Sequence, residues 1–505
     1  MKRLLCATLE ANMAHSVEVE SAFVRSLPYF AIVGLAQQSI QESRDRIRAA
    51  LNSINFKFPA QRITVNLYPS DLPKIGSHFD LGIALLVALQ RENVDFEDFY
   101  CFGELGLAGG VKSTVSIFPI ILSLASRYQN LRVVVPNESL ELVASIPNIQ
   151  AYGVDSLQEA IEFFADKNVR DSKLAQSTHE LLKNAITIEG RTYVPNDDFE
   201  LDFADIKGQR NAKEAMMIAA SGMHNVLLEG SPGCGKSMSI KRLLYIMPPL
   251  ELNELLQSAA NKSLGGADTV FERLRPFRSP HHTSSRPSIF GGGSNFGAKI
   301  GEVALAHHGI LFFDEFPHFS KQVLESLREP LEDGRVLISR VNSKICYETR
   351  FLFAAAQNPC PCGNLFSSIK SCKCSDIEIQ KYKAKISAPL LDRIDIYVQM
   401  DESGVDDIST LDSKQMRVKV LKAFAAQKKR AQSELNGKMD DKSIEQFCVL
   451  NAEADDILKS AAVRFGLSHR GVGKLKKIAR TIADLDGCES IEKAHMLKAL
   501  SFRQR

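Results

Sequence analysis

A glycine-rich motif at residues 230–237 restricts what this chain can fold into more than any other feature. An apolar run at 225–228 precedes it and a helical pattern at 238–246 follows it, which is the context in which such a motif binds phosphate. Its glycines let the backbone N–H groups point at an anion, and the helix presents its positive end to the same anion. Lys236 is placed to reach the β- and γ-phosphates, and Ser237 to hold Mg²⁺. The alternative is a glycine-rich turn that binds no ligand. We predict a nucleotide site made of Gly230, Ser231, Pro232, Gly233, Cys234, Gly235, Lys236 and Ser237.

Length and charge limit the class of protein. With 505 residues the chain is too long for one ordinary domain. The net charge is only +2, so any contact with nucleic acid must depend on local patches. The ten cysteines lie mostly apart, which is typical of a reducing compartment. The apolar runs are far shorter than a membrane span, and the signal-like start ends at Glu10, so we expect a cytoplasmic protein.

The pattern of predicted elements divides the chain into four parts. We predict an α+β domain over 1–165, a polar linker with a helical piece over 166–195, an α/β domain over 196–402 and a helical domain over 403–505. Alternating strands and helices around the phosphate loop favour a three-layer α/β domain. An apolar stripe at 472–485 predicts an amphipathic helix. The charges between the stripe positions are expected to form a solvated face: Lys474, Lys476, Lys477 and Arg480.

Polar side chains follow two predicted buried strands. Asp314 and Glu315 come directly after the run 310–313, and Asn358 follows the run 351–357. Because ligands of a parallel sheet bind at the carboxyl ends of its strands, both acids should face the nucleotide. Asp314 would orient Mg²⁺, directly or through water, and Glu315 would act as general base toward the attacking water. Asn358 is placed to hydrogen-bond that water or the γ-phosphate. The alternative for the acid pair is a helix cap.

Two arginines complete the predicted catalytic set. Arg393 lies in a turn, where it can serve as a cation supplied across a subunit boundary that offsets charge in the transition state. The alternative for Arg393 is a local surface pair with Asp395. Arg470 opens the predicted amphipathic helix and is placed to reach the γ-phosphate from a helical lid. The predicted catalytic residues are therefore Glu315, Asn358, Arg393 and Arg470.

The order of loop, acid pair, polar strand end, interface arginine and lid arginine resembles that of the AAA+ ATPases. More narrowly, the chain resembles the magnesium-chelatase-like branch of the ComM/YifB type. The resemblance reaches from the N-terminus to about residue 490. It rests on the stretches 32–35, 42–44, 62–67, 277–283, 301–307, 358–363 and 480–485, which include Phe277-Arg278-Ser279-Pro280-His281-His282-Thr283 and Asn358-Pro359-Cys360-Pro361-Cys362-Gly363.

The resemblance implies a fold class and an activity. The fold is an α/β AAA+ P-loop domain, with an N-terminal α+β domain like ribosomal protein S5 and Lon-type proteases, and a C-terminal helical lid. The activity is ATP hydrolysis with Mg²⁺ in a ring of six identical chains, coupled to branch migration of DNA in recombination during natural transformation. ATP would lie between subunits, with Arg393 supplied by the neighbouring chain.

The chain departs from the family pattern at two places. Cys234 occupies a position in the phosphate loop where serine, threonine or alanine is usual, and we hypothesise that it makes the ATPase sensitive to thiol oxidation. Val472 and Gly473 follow the lid arginine in place of an aromatic residue and histidine. The second departure concerns details of the lid and leaves Arg470 in place.

The likeness of the first domain to Lon raises a protease alternative. The stretch 72–77 echoes the nucleophile region, with Ser77 as the candidate. A Ser–Lys enzyme needs a lysine that activates the serine. Phe118 stands where the Lon pattern has that lysine, and Lys112 is misplaced for the role. We therefore predict a non-catalytic first domain that binds a partner or caps the ring.

Four cysteines form a compact array that suggests a metal. Two C-x-C pairs in a cytoplasmic chain are the pattern of a closed tetrahedral Zn²⁺ site, although C-x-x-C is the more usual spacing. Reduced thiols or a redox pair are the alternatives. The predicted ligands are Cys360, Cys362, Cys372 and Cys374, and they would brace the strand end that carries Asn358.

Two insertions have the composition of loops that face a pore. The stretch 288–293 is rich in glycine, and 333–340 with 343–347 predicts a hairpin. By resemblance these are the helix-2 and pre-sensor-1 insertions of the family. Their basic residues could follow a phosphate backbone, although each alone is an ordinary surface charge: Lys299, Arg335, Arg340 and Lys344.

Two rival functions stay open beside a DNA motor. The first is a motor that acts on a protein partner, as the ATPase subunits of magnesium chelatase do. The second is a nucleotide-gated scaffold with little turnover, against which the intact Glu315 argues. The sequence shows no group for porphyrin chemistry, so metal insertion by this chain is not expected.

Overall fold

The computed structural model describes residues 2–10, 12–35, 38–94, 96, 98–197, 199–294, 297–339, 344–402 and 411–503. The chain forms two compact units, one of residues 1–184 and 259–271 and the other of 185–258 and 272–505. The boundary at 184 lies within the stretch predicted as a linker. Residues 259–271, which fall inside the predicted α/β domain, belong to the first unit. No helix of the described residues is long and apolar enough to cross a membrane.

The first unit is built on a seven-stranded mixed sheet with the order β3-β4-β2-β1-β5-β8-β9. The strands β1, β2 and β4 pair antiparallel, and the other pairs of this sheet are parallel. A separate short hairpin joins β6 and β7. The strands are β1 (Lys2–Glu10), β2 (Met13–Val24), β3 (Tyr29–Val33), β4 (Arg62–Tyr68), β5 (Phe99–Cys101), β6 (Glu104–Leu105), β7 (Val111–Lys112), β8 (Leu131–Pro136) and β9 (Ile149–Val154).

The helices of the first unit bury apolar side chains, except for the short helix over 167–172, which has no buried residue. They are α1 (Gln38–Ser53), α2 (Asp80–Ala88), α3 (Ile117–Ala125), α4 (Asn137–Ala144), α5 (Leu157–Ala165) and α6 (Lys167–Ser172). Helix α2 is apolar nearly all round and is buried from Asp80 to Val87, as such a helix must be. The buried Asp80 accepts a 2.8 Å hydrogen bond from Arg46 Nε of α1, so the charge is paired.

The second unit contains a five-stranded sheet, β14-β17-β20-β12-β21, in which each described pair of neighbours is parallel. Its strands are nearly continuous apolar runs because helices cover both faces. A three-stranded sheet (β10-β11-β13) and two hairpins (β15-β16 and β18-β19) lie apart from it. The strands are β10 (Ile186–Ile188), β11 (Arg191–Val194), β12 (Val226–Gly230), β13 (Leu250–Glu251), β14 (Phe277–Arg278), β15 (Gly292–Ser294), β16 (Gly297–Lys299), β17 (Ile310–Phe313), β18 (Arg335–Ser339), β19 (Lys344–Glu348), β20 (Leu352–Gln357) and β21 (Ile396–Met400).

The remaining helices begin with α7 and α8 around the phosphate loop and end with a helical C-terminal region. They are α7 (Arg210–Gly222), α8 (Lys236–Ile246), α9 (Leu252–Leu264), α10 (Arg286–Phe290), α11 (Glu302–Leu305), α12 (Lys321–Ser326), α13 (Arg328–Asp333), α14 (Asp376–Lys383), α15 (Ala388–Leu391), α16 (Ser413–Lys429), α17 (Asp441–Phe447), α18 (Ala452–Phe465), α19 (His469–Asp486) and α20 (Lys493–Ser501). Short 3₁₀ helices are Glu180–Asn184, Phe203–Asp205, Phe316–His318 and Asn436–Lys438.

One hydrophobic core joins the helical C-terminal region to the parallel sheet. It includes Leu228 of β12, Ile240 of α8, Val420 of α16, Ile478 of α19 and Met496 of α20, all of them buried. The C-terminal helices are therefore fixed on the sheet by burial of apolar side chains. Their position decides where Arg470 lies.

Candidate active site

The phosphate loop connects the carboxyl end of β12 to the first turn of α8. Gly233 and Gly235 have φ angles of +85° and +94°, in the left-handed region where a side chain is strained. At Gly230 a Cβ atom would lie 2.7 Å from Cys234 Sγ and 2.8 Å from Met400 O, so only glycine fits. The loop conformation therefore requires the glycines of the predicted motif.

Lys236 lies at the centre of this loop. Its Nζ donates hydrogen bonds to Gly230 O (2.7 Å), Ser231 O (2.9 Å) and Asn358 Oδ1 (3.2 Å). Burial lowers the pKa of Lys236, while Cys234 and Asp314 oppose that shift. The bond to Asn358 joins the end of β20 to the phosphate loop, as expected for neighbouring parallel strands.

Ser237 and the acid pair also meet. Ser237 Oγ donates a 2.7 Å hydrogen bond to Asp314 Oδ2, and the backbone N–H of Glu315 donates to Asp314 Oδ1 at 3.0 Å. A hydroxyl and a carboxylate are oxygen ligands of the kind that Mg²⁺ prefers. These two residues could hold the ion, so Glu315 would not be needed as a metal ligand. Glu315 has a left-handed backbone, with φ +51°, which turns the chain sharply after β17.

Sequence reasoning missed two side chains beside this centre. His282 Nδ1 lies 3.3 Å from Glu315 Oε2, so an imidazole touches the predicted general base. Gln209, also left-handed with φ +51°, donates from Nε2 to Cys234 O at 3.5 Å. The histidine stands in a stretch that carried the family resemblance, but no chemical pattern assigned it a role.

Arg393 and Arg470 lie at the other end of the sheet. Asn225, which precedes β12, donates from Nδ2 to Arg393 O at 2.9 Å, and its own N–H donates to Asp395 Oδ2 at 2.9 Å. Arg470 Nη1 lies 4.0 Å from Asp392 Oδ2. Because β12 and β21 run parallel, these residues lie at their amino ends, whereas the phosphate loop follows the carboxyl end of β12. The five residues of β12 alone span about 13 Å from the first Cα to the last.

A carboxylate that the sequence did not reveal joins the two arginines. Glu332 of α13 pairs with Arg393 through Oε2 and with Arg470 through Oε1. Arg393 therefore pairs with Glu332, and the predicted alternative pair with Asp395 is not among the described ion pairs. Glu332 is 61 residues from one arginine and 138 from the other, so no local pattern could have identified it.

The four predicted metal-binding cysteines converge. The Sγ atoms of Cys360, Cys362 and Cys372 are 3.5 to 3.7 Å apart, and Cys374 completes a group whose sulfur atoms all lie within 4.8 Å of one another. Four thiolates about 2.3 Å from one Zn²⁺ in a tetrahedron would be roughly 3.8 Å apart. The array therefore fits a zinc ion.

The cysteine loop lies directly on the phosphate loop. Gly363 has φ +79°, and a Cβ atom there would lie 2.6 Å from Pro232 Cδ. Its N–H donates to Cys360 O at 3.0 Å. A metal held by the cysteines would thus set the position of a backbone that packs against the nucleotide site.

The two predicted insertions form β-hairpins that contact each other. A Cβ atom on Gly291 would lie 2.5 Å from Ile338 Cδ1, which joins the start of one hairpin to a strand of the other. Lys299 and Arg335 are exposed. Arg340 and the side chain of Lys344 lie outside the described residues.

In the first unit the candidate protease serine has a carboxylate partner. Ser77 Oγ donates a 2.5 Å hydrogen bond to Glu104 Oε2, and Phe118 is buried. This partner is a carboxylate and not the lysine amine that a Ser–Lys enzyme needs.

The parallel sheet, the phosphate loop and the acid pair at its carboxyl edge define an AAA+ ATPase. Family models of magnesium chelatase match most of the chain: subunit ChlI over 202–408, the ChlI subunit domain over 19–139 and the ChlI C-terminal domain over 410–503. The chain belongs to the magnesium-chelatase-like family of ComM and YifB.

Full-length relatives support this assignment. The competence protein ComM of Haemophilus influenzae is 35% identical over 497 residues, which cover 96% of this chain and 94% of the relative. The uncharacterized protein YifB of Salmonella typhimurium is 35% identical over 507 residues, covering 98% and 96%. YifB of Escherichia coli is 34% identical over 510 residues, covering 98% and 96%. Members of this family are ATPases that use ATP and Mg²⁺.

Proposed function

We propose that this protein is a cytoplasmic, ring-forming ATPase that couples ATP hydrolysis to remodelling of DNA, as a branch-migration helicase in recombination and natural transformation. One observation carries the ring: the phosphate loop and the two arginines of one chain lie at opposite edges of one sheet. The arginines can complete an ATP site only in an adjacent subunit. We therefore propose that Arg470, like Arg393, supplies a cation to the ATP of the neighbouring subunit. Six chains would close the ring.

The residues divide the chemistry between two chains. In the first chain Lys236 would bind the phosphates, Ser237 and Asp314 would hold Mg²⁺, and Asn358 would orient the water for Glu315 to deprotonate. The second chain would supply Arg393 and Arg470 to the charge that develops on the γ-phosphoryl oxygens. Magnesium neutralises phosphate charge when bound.

DNA is the proposed substrate because of the insertions and one relative. Exposed Lys299 and Arg335 lie on hairpins that could follow a phosphate backbone. The name of the ComM relative refers to competence. The first unit would bind a partner or cap the ring.

Branched DNA tests this proposal directly. Purified protein with ATP and labelled branched DNA should show DNA-stimulated hydrolysis and accumulate separated strands. Glu315→Gln should still bind ATP and DNA but give no strand product, because only the general base is lost. Hydrolysis that DNA does not stimulate, without strand product, would support the rival function, a motor that acts on a protein partner. That rival rests on the likeness to magnesium chelatase.

We propose further that the four-cysteine array holds structural zinc. Elemental analysis of purified protein should give about one zinc per chain. Cys372→Ser should lose the metal, whereas Cys346→Ser, which changes an exposed cysteine outside the array, should keep it. Wild-type protein without stoichiometric metal would contradict the proposal.

A further inference from the structure

Glu332 holds together two arginines that come from distant parts of the second unit. Each of its carboxylate oxygens pairs with one guanidinium, Arg393 at Oε2 and Arg470 at Oε1. The hydrogen bonds from Arg470 and then Arg393 lower the pKa of Glu332, so the carboxylate stays ionised at neutral pH. Two guanidinium groups alone would repel each other, and the attraction of both to the shared carboxylate offsets that repulsion.

The two arginines are held with different freedom. The Arg393 side chain is only 10% exposed, its Nη1 donates to Pro389 O, and its Nε is buried without a hydrogen-bond partner among the described residues. Arg470 is 43% exposed, and beyond Glu332 its one ion pair among the described residues is a 4.0 Å contact to Asp392. A cavity of about 500 Å³ borders Glu332 and both arginines. The two guanidinium groups therefore face this cavity, with Arg393 held in place and Arg470 less restrained.

We propose that Glu332 is a positioning residue of the ATPase, which sets Arg393 and Arg470 side by side so that both meet the ATP of the neighbouring subunit. This inference rests on the proposed function. A transferring phosphoryl group spreads negative charge over its equatorial oxygens, and cations fixed in advance stabilise that charge without reorganisation. The carboxylate itself does not need to touch the nucleotide.

The kinetic test compares Glu332→Gln and Glu332→Ala with Glu329→Gln, an exposed acid on the same helix. The Glu332 variants should lose roughly tenfold or more in kcat, with less than about threefold change in KM for ATP, because the phosphate loop that binds the nucleotide is intact. Glu329→Gln should behave as wild type. Glu332→Asp, which keeps the charge, should recover part of the lost kcat. A rise in KM with unchanged kcat, or no difference between Asp and Ala, would contradict the assignment.

Mixed rings separate a positioning role from a folding defect. Chains with Glu332→Ala alone should turn over roughly tenfold or more slowly than wild type, and chains with Lys236→Ala alone should not hydrolyse ATP. Their mixture should regain activity, because some interfaces join the intact phosphate loop of the first to the intact arginine pair of the second. A parallel mixture of Arg393→Ala with Lys236→Ala tests the ring itself. Recovery only in the Arg393 mixture would refute the role of Glu332. Recovery in neither mixture would refute the shared site of the proposed function, and the Glu332 assignment with it.

Discussion

Among single residues, Cys234 shows how burial decides the chemistry of a side chain in the phosphate loop. The residue is 4% exposed, and burial raises the pKa of its thiol despite the nearby amine of Lys236. Because the thiolate is the reactive form, a raised pKa makes the thiol slow to oxidise or alkylate. The hypothesis that thiol oxidation inhibits the ATPase therefore requires Cys234 to be oxidised in a conformation that makes its oxidation slow.

Alkylation measures this protection. Iodoacetamide at neutral pH should modify Cys234 much more slowly than the exposed Cys346, and the rate at Cys234 should increase as the pH rises past 9.0, the ordinary thiol value. Peptide mass spectrometry gives both rates in one sample. Equal rates at the two cysteines would show that burial does not protect the loop.

Gly363 gives a second prediction for a single position. Gly363→Ala would place a Cβ atom against Pro232, so the phosphate loop must shift. We expect roughly tenfold weaker nucleotide binding, about 1.4 kcal/mol, with metal content unchanged. Gly190→Ala is the matched control, because its φ of +75° is similar but nothing lies within 4 Å of its Cβ position. Fluorescent-nucleotide titration of both variants decides the matter, and equal affinities would exclude a contact effect.

Among the secondary-structure elements, α19 shows what a sequence pattern can and cannot give. The apolar stripe at 472–485 correctly predicted a helix. The expectation of a solvated basic face was wrong for Arg480, whereas Lys474, Lys476 and Lys477 are partly exposed. Arg480 is 0% exposed and donates to Asp484 Oδ1, Glu489 O and Cys488 O. Periodicity identifies the apolar face, whereas the burial of the opposite face depends on the chain that folds back over it.

The start of α2 supports a prediction of pH dependence. His78 precedes this helix and is buried, with Nε2 2.9 Å from Ala7 O and Nδ1 3.2 Å from Ser116 Oγ. Burial lowers its pKa from 6.5 to about 4. Between these values the unfolded chain binds the proton and the folded unit does not, so stability of the first unit falls as the pH decreases through this window. The loss is at most about 3 kcal/mol.

Hydrogen exchange measures this loss in the first unit alone. Peptides from β4, corrected for intrinsic exchange, should lose protection between pH 6.5 and pH 4, the two pKa values of His78. In His78→Gln the loss should be smaller, because the titrating group is gone. His15→Gln, at a partly exposed position, should keep the wild-type profile. A wild-type profile in His78→Gln would show that other groups cause the acid sensitivity.

At the scale of the whole molecule, the sequence predicts which residues meet at the carboxyl edge of the parallel sheet. It does not predict which residues from distant parts of the chain meet at the amino edge. The motif 230–237, Asp314 and Asn358 lie together as expected, because parallel strands carry their polar ends to one edge. The place of Arg470 could not be read from the sequence, since it depends on how the C-terminal helices share a core with α7 and α8. The role of Glu332 could not be predicted either, because its two arginine partners are 61 and 138 residues away in the sequence.

The polarity of the sheet has a consequence for how the protein behaves in dilute solution. In the ring that we propose, each chain contributes half of two catalytic sites and the whole of none. Hydrolysis per chain should therefore decline steeply on dilution, while nucleotide binding to the phosphate loop persists. A dilution series that follows turnover and fluorescent-nucleotide binding together measures both quantities. Turnover per chain that stays constant at every dilution would contradict the shared site. A protein that shares its sites in this way would couple its turnover to its own concentration: chains too dilute to assemble would bind ATP without hydrolysing it.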